Sequence, residues 1–142
     1  MEFSIRPELR RLQDYLDSVT CCPYELGQMD CFIFLCAVIK SFTLVDYSYL
    51  YEGQYKTRHD ALQLIQNSGG FIEGIKKYTG KDFTRTRDKN RLEDGDVVLF
   101  KFPLDIQPHI GVKLRHSIVF PGDKGIMFLY DGYTLLGFWR FI

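Results

Sequence analysis

Asp30 and Cys31 stand together ahead of a long run of apolar residues, and far downstream His109 opens the segment His-Ile-Gly-Val at 109–112. Aspartate is a strong helix N-cap, so the pair predicts a helix beginning at Cys31. Its thiol would then lie among unpaired backbone N–H groups, where the helix dipole favours the thiolate. A histidine at the start of a strand is a suitable base to take the thiol proton. The chemistry of such a pair is nucleophilic attack on an acyl carbon. Cysteine is also among the most often buried residue types, a description that suits Cys36 in the same run, so only its position distinguishes Cys31. His59, beside Asp60, reads as a solvated helical position, and His116 reads as either a neighbour of the site or an exposed residue.

The elements that must position these residues follow from periodicity. Residues 5–19 predict an amphipathic helix, with Pro7 in its first turn and Leu9, Leu12, Leu16 and Val19 at helical spacing. A loop over 20–29 leads to the Asp30 cap, and residues 31–42 are apolar on nearly every side, which predicts a central buried helix. The tyrosine-rich stretch 47–55 shows no period and reads as an ordered loop. Residues 58–67 and 71–78 predict two further helices, separated by Gly69-Gly70, and the charged stretch 81–93 reads as a surface connection. Beyond Gly95 the pattern changes to strands over 96–102, 109–114, 116–120, 125–130 and 136–142, joined by short turns. Helices gathered before a meander of strands predict an α+β fold with the Cys31 helix packed on one face of an antiparallel sheet.

Composition narrows the function classes. A chain of 142 residues fits one domain spanning 1–142, and 18 Lys and Arg balance 18 Asp and Glu, which leaves no global field for nucleic acid or an anionic membrane. There is neither a basic, then apolar, secretory start nor an apolar run of membrane-spanning length, so a soluble protein made in the cytoplasm is expected, with no direct membrane insertion. The four cysteines, at 21, 22, 31 and 36, have neither the spread of a disulfide scaffold nor the spacing of a zinc site, and no metal or cofactor is expected.

A sequence order now stands out: Pro-Tyr-x-x-Gly (Pro23, Tyr24, Gly27), Asp30-Cys31, Gly-Asp-Val-Val at 95–98, and His-Ile-Gly-Val at 109–112. It resembles the NlpC-type papain-fold cysteine peptidases, from about Pro23 to the end of the chain. Tyr55, Thr57-Arg58, Ala61 and the Gly-Gly-Phe stop at 69–71 are similar to a compact branch found among bacteriophage tail genes. The resemblance implies a papain-like fold, Cys31 as nucleophile, His109 as base, and an oxyanion and substrate neighbourhood around Tyr24 and Asp30. It implies a peptidoglycan stem peptide as substrate, other phage tail proteins as partners, and a place in the virion after synthesis in the host cytoplasm. Asp-Cys is followed here by Phe-Ile where secreted family members carry Ser-Gly. The strand after the histidine offers no polar side chain from Val119 to Pro121, which leaves Asp123, Gln107 or a backbone carbonyl to orient the imidazole. Two functions fit: a cysteine endopeptidase that opens the wall during entry, and a tail-tip or baseplate component that keeps the fold after its pocket has degenerated.

Overall fold

The computed structural model describes residues 6–142 except 27, 52 and 68. Among them, four α-helices precede or flank a six-stranded antiparallel sheet, an α+β architecture. Helix α1, Pro7–Val19, carries its proline in the first turn and buries Leu9, Leu12 and Leu16, the stripe its periodicity predicts. The expected start at residue 5 and Gly27 of the Pro-Tyr-x-x-Gly loop lie outside the described residues. Helix α2, Cys31–Thr43, is capped by Asp30, whose carboxylate accepts from the N–H groups of Phe32 and Ile33, and it ends where Leu44 turns left-handed at φ 65°. Its apolar composition is matched by burial of eight of its residues, Phe34 and Val38 almost completely.

The tyrosine-rich segment contains one 3-10 turn, Ser48–Leu50, and folds back so that Tyr51 and Tyr55 reach Phe32. Helix α3, Arg58–Asn67, begins where the Thr57 hydroxyl accepts from the N–H of Asp60, and it buries Ala61. Helix α4, Phe71–Thr79, stops at Gly80, whose φ of 75° suits a residue without a Cβ.

The strands are β1 Thr84–Arg85, β2 Val97–Lys101, β3 His109–Leu114, β4 Ser117–Gly122, β5 Gly125–Leu129 and β6 Thr134–Trp139, in the order β1-β6-β2-β3-β4-β5. Two expectations are corrected here. The sheet is not a simple meander, because β6 returns past the first hairpins to pair with β2 on one side and β1 on the other. The charged connection 81–93 also contributes β1 and a 3-10 turn at Lys89–Arg91, and it buries Leu92; pairing with β6 imposes strand geometry on a sequence with no alternating pattern of its own. His116 lies in the β3–β4 turn and is exposed.

Strand alternation divides the apolar residues between two faces. Val97, Leu99, Ile110, Val112, Val119 and Trp139 pack with Leu12, Leu16, Leu35, Val38 and Ile39 of α1 and α2. Val98, Phe100, Ile118, Leu135 and Phe138 form a second cluster with Leu92. Each fully buried side chain of this size contributes roughly 1.5–3 kcal/mol, so the α2 face of the sheet is the foundation on which Cys31 stands. Gly111 of the His-Ile-Gly-Val segment is required by β4: a Cβ there would sit 2.6 Å from Ile118 Cγ2 and 2.8 Å from the Val119 carbonyl. No helix among the described residues is long and apolar enough to cross a membrane.

Candidate active site

Cys31 occupies the first turn of α2 and is half-buried. With Phe32 and Ile33 donating to Asp30 at 2.9 and 3.0 Å, the remaining N–H at this helix end is that of Cys31 itself, directed at its own sulfur. A second donor comes from the sheet. The β3–β4 ladder begins at Val112, which leaves the N–H of Ile110 to point at the thiol. Burial nevertheless pushes the Cys31 thiol up to about 11, with the nearby charge of Asp30 adding to the rise and the Ile110 N–H, Arg58 and the residue's own N–H opposing it. The dipole was expected to favour the thiolate; desolvation outweighs it because protein surrounds most of the half-buried sulfur.

Asp30 lies beneath this site. It is 1 % exposed, and besides capping α2 it accepts a hydrogen bond from the Tyr55 hydroxyl, whose ionisation burial and that bond suppress. Phe32 stacks on Tyr51 at 5.1 Å and Phe71 at 5.3 Å, and meets the Tyr55 ring edge-on at 5.8 Å. In this chain the bulky residue after the cysteine points into an aromatic cluster that fixes the helix start from behind.

His109 begins β3, half-buried between Phe100, which it stacks on at 5.6 Å, and the edge of Phe102 at 5.4 Å. Its Nε2 is 2.7 Å from Asp105 Oδ2. That carboxylate also accepts from the N–H of Phe102 at 3.3 Å, which closes the loop between β2 and β3 over itself. The bond to His109 is the chief reason the Asp105 carboxyl is held below the usual carboxylate range. The group bonded to the imidazole is thus Asp105, where the sequence offered Asp123, Gln107 or a backbone carbonyl. Asp123 and Gln107 line the same cleft, but among the described residues neither is hydrogen-bonded to the ring. The signal was an aspartate four residues before the histidine, inside a loop with no periodicity to mark it.

Cys31 and His109 line one cleft of about 870 Å³, with Tyr24, Arg58, Asp105, Gln107, Phe120, Asp123, Lys124 and Met127 among its other walls. No hydrogen bond joins the thiol to the imidazole among the described residues; the thiol faces the Ile110 N–H and the imidazole's Nε2 faces Asp105. Tyr24 is 40 % exposed, and its backbone N–H donates to the Asp123 carbonyl at 3.3 Å, tying its loop to the β4–β5 turn. Burial, then the charges of Cys31 and Asp30, push its phenol up to about 12, so it stands beside the thiol as a hydroxyl donor. All four cysteines are free, Cys21 exposed and Cys36 buried. Among the described residues no group of three or more His, Cys, Asp or Glu is placed to hold a metal ion.

Fold and site together define an α+β protein with a cysteine at a capped helix end and a carboxylate-bound histidine on the adjoining strand, sharing one cleft. The chain belongs to the DUF6950 family, a domain of unknown function, whose family model matches residues 6–140. No curated protein and no solved structure matches it.

Proposed function

We propose that this protein is a cysteine hydrolase of the NlpC-type, papain-like class that cleaves an amide bond through Cys31 and His109. The observation that carries the reading is the Asp105 carboxylate 2.7 Å from His109 Nε2, in the same cleft as Cys31. An imidazole held at Nε2 has Nδ1 left to exchange a proton, and a carboxylate partner both fixes that tautomer and stabilises the imidazolium that forms.

The steps follow from the groups present. His109 takes the Cys31 proton as sulfur attacks the carbonyl carbon, forming the C–S bond. The oxyanion gathers at the N–H of Cys31, with the Tyr24 hydroxyl as a neighbouring donor. Collapse breaks the C–N bond, the amine leaves with the proton from His109, and water then hydrolyses the thioester to return acid and thiol. Because the thiol is pushed up to about 11, it enters as S–H, and proton transfer accompanies attack rather than preceding it. The likeness of the Asp-Cys and His-Ile-Gly-Val segments to NlpC-type enzymes points to a peptidoglycan stem peptide as substrate. The likeness at Tyr55, Thr57-Arg58 and Ala61 points to a bacteriophage tail-tip or tail-assembly protein, carried in the virion beside other tail proteins.

A second reading, a structural tail component with a degenerate pocket, is favoured by the raised thiol and by the missing bond between thiol and imidazole. Mass spectrometry of purified stem peptides separates the two. The wild type should release product, Cys31→Ser none, and Asp105→Asn product at a rate lower by roughly 10²-fold or more, as for loss of a tautomer-fixing carboxylate. Absence of product from the wild type sinks the hydrolase reading, and assembly of both wild type and Cys31→Ser into particles then supports the structural one.

A further inference from the structure

The two edges of the sheet differ. At β5 the N–H of Ile126 donates to the Thr20 carbonyl at 3.1 Å, so the end of α1 closes part of that edge. At the other edge β1 pairs with β6 alone. Just past β1 the Thr86 N–H donates to the Leu136 carbonyl at 3.3 Å. Backbone groups of successive residues point alternately toward and away from a paired strand, so the N–H and C=O of Arg85 point away from β6. Among the described residues the N–H of Arg87, the next outward-facing residue, meets no acceptor either. Such an edge offers backbone donors and acceptors to another strand.

Charge is concentrated along the same edge. Residues 76–91 hold seven Lys and Arg against two acids, Asp82 and Asp88, in a chain whose 18 cations and 18 acids balance. Lys81, Arg85, Arg87 and Arg91 form no ion pair among the described residues. Three of them are seated on aromatic rings instead: Arg85 over Phe83 at 5.6 Å, Arg91 over Phe138 at 5.9 Å and Lys81 over Phe141 at 6.0 Å. Between α4 and β1 runs a groove of about 310 Å³ with Ile72, Phe83 and Arg85 in its walls. Glu73, Lys76 and Asp82 complete it, the last two paired with each other.

We propose that the β1 edge is a docking site for an extended acidic segment of a partner protein, which joins the six-stranded sheet as a further strand. Backbone bonds to Arg85 and Arg87 set its register, its carboxylates meet the cations that lack ion pairs, and apolar side chains at alternate positions enter the groove beside Ile72 and Phe83. A short cationic edge also keeps unwanted strands away, and that is what selects the occupant. The β1 edge of a second copy would bring the same cations face to face, and a nucleic acid has no peptide groups to pair with the edge. The site is separate from the cleft and does not depend on the hydrolase reading.

The probe is a dye-labelled peptide of alternating Glu and Val, blocked at both ends and titrated into the full chain. Fluorescence anisotropy reads binding, and hydrogen exchange at the Arg85 amide reads strand addition. The peptide should bind, and at saturation the Arg85 amide should exchange about tenfold or more slowly than in the free chain. Arg85→Gln should weaken binding about tenfold, the scale of one charge-assisted hydrogen bond, while Lys40→Gln in the last turn of α2 leaves it unchanged. An unchanged thermal melt shows that Arg85→Gln still folds. The proposal is overturned by absence of binding, by binding that leaves exchange at Arg85 unaltered, or by binding that Arg85→Gln does not weaken. Equal binding and equal protection by an oligothymidylate of the same charge also overturns it, because the surface would then take any polyanion.

Discussion

On one wall of the cleft Cys31 stands on a helix end whose cap, Asp30, is 1 % exposed and bonded to Tyr55, with Phe32 packed among three aromatic rings behind it. On the other wall His109 is oriented by a loop whose Leu104 and Ile106 are 97 % and 93 % exposed, with Asp105 between them. Cys31 is therefore positioned by the core and His109 by a surface loop. The first wall cannot shift without loss of buried contacts and hydrogen bonds, whereas the second can change locally at little cost to the fold. Desolvation is the price of the rigid wall: the packing that fixes Cys31 also raises its thiol.

The contrast can be broken by mutation. Phe32→Ala should have the largest effect, destabilising the protein by about 3–5 kcal/mol in urea unfolding, because a cavity would open between α2, α3 and α4. Asp30→Ala should follow at about 2–3 kcal/mol, since the α2 cap is lost and the buried Tyr55 hydroxyl loses its acceptor. A loss below about 1 kcal/mol in either would show that the helix end is not held from behind as described.

The thiol sharpens the same contrast through pH. Its pKa rises from 9.0 in the unfolded reference to about 11 in the fold, so the folded state holds this proton longer. The associated stability is complete below pH 9 and is lost as pH rises through about 11. Below pH 9 the thiolate population of Cys31 should be about 100-fold lower in the folded than in the unfolded chain. Iodoacetamide labelling of Cys31, followed by peptide mass spectrometry, should accordingly accelerate tenfold per pH unit up to about pH 11. A plateau near neutral pH would mean that the thiolate is already formed in the native cleft.

At the loop wall the smallest effect is expected. Leu104→Ser with Ile106→Ser should change unfolding free energy by no more than about 0.5 kcal/mol, because neither side chain is withdrawn from water in the native state. A larger loss would show that the loop is packed in solution and would remove the difference between the walls.

How much of this was legible depended on range. Helix α2 and the start of β3 were readable because a cap aspartate, an apolar run and the His-Ile-Gly-Val alternation act within a few residues. The return of β6 to β2 was not, because strand pairing across 30 or more residues leaves no local mark. Asp105 escaped notice for the same reason on a smaller scale: a loop aspartate gains a role only when loop closure carries it to the ring.

By itself the sequence determined where the Cys31 helix starts, which strand carries the histidine, and that the chain would fold as helices on an antiparallel sheet. Only the tertiary structure decided that Asp105 meets His109, that Arg58 lines the cleft, and that burial raises the Cys31 thiol. Caps and periodicity are properties of neighbouring residues, whereas burial and the meeting of side chains depend on which distant segments exclude water together.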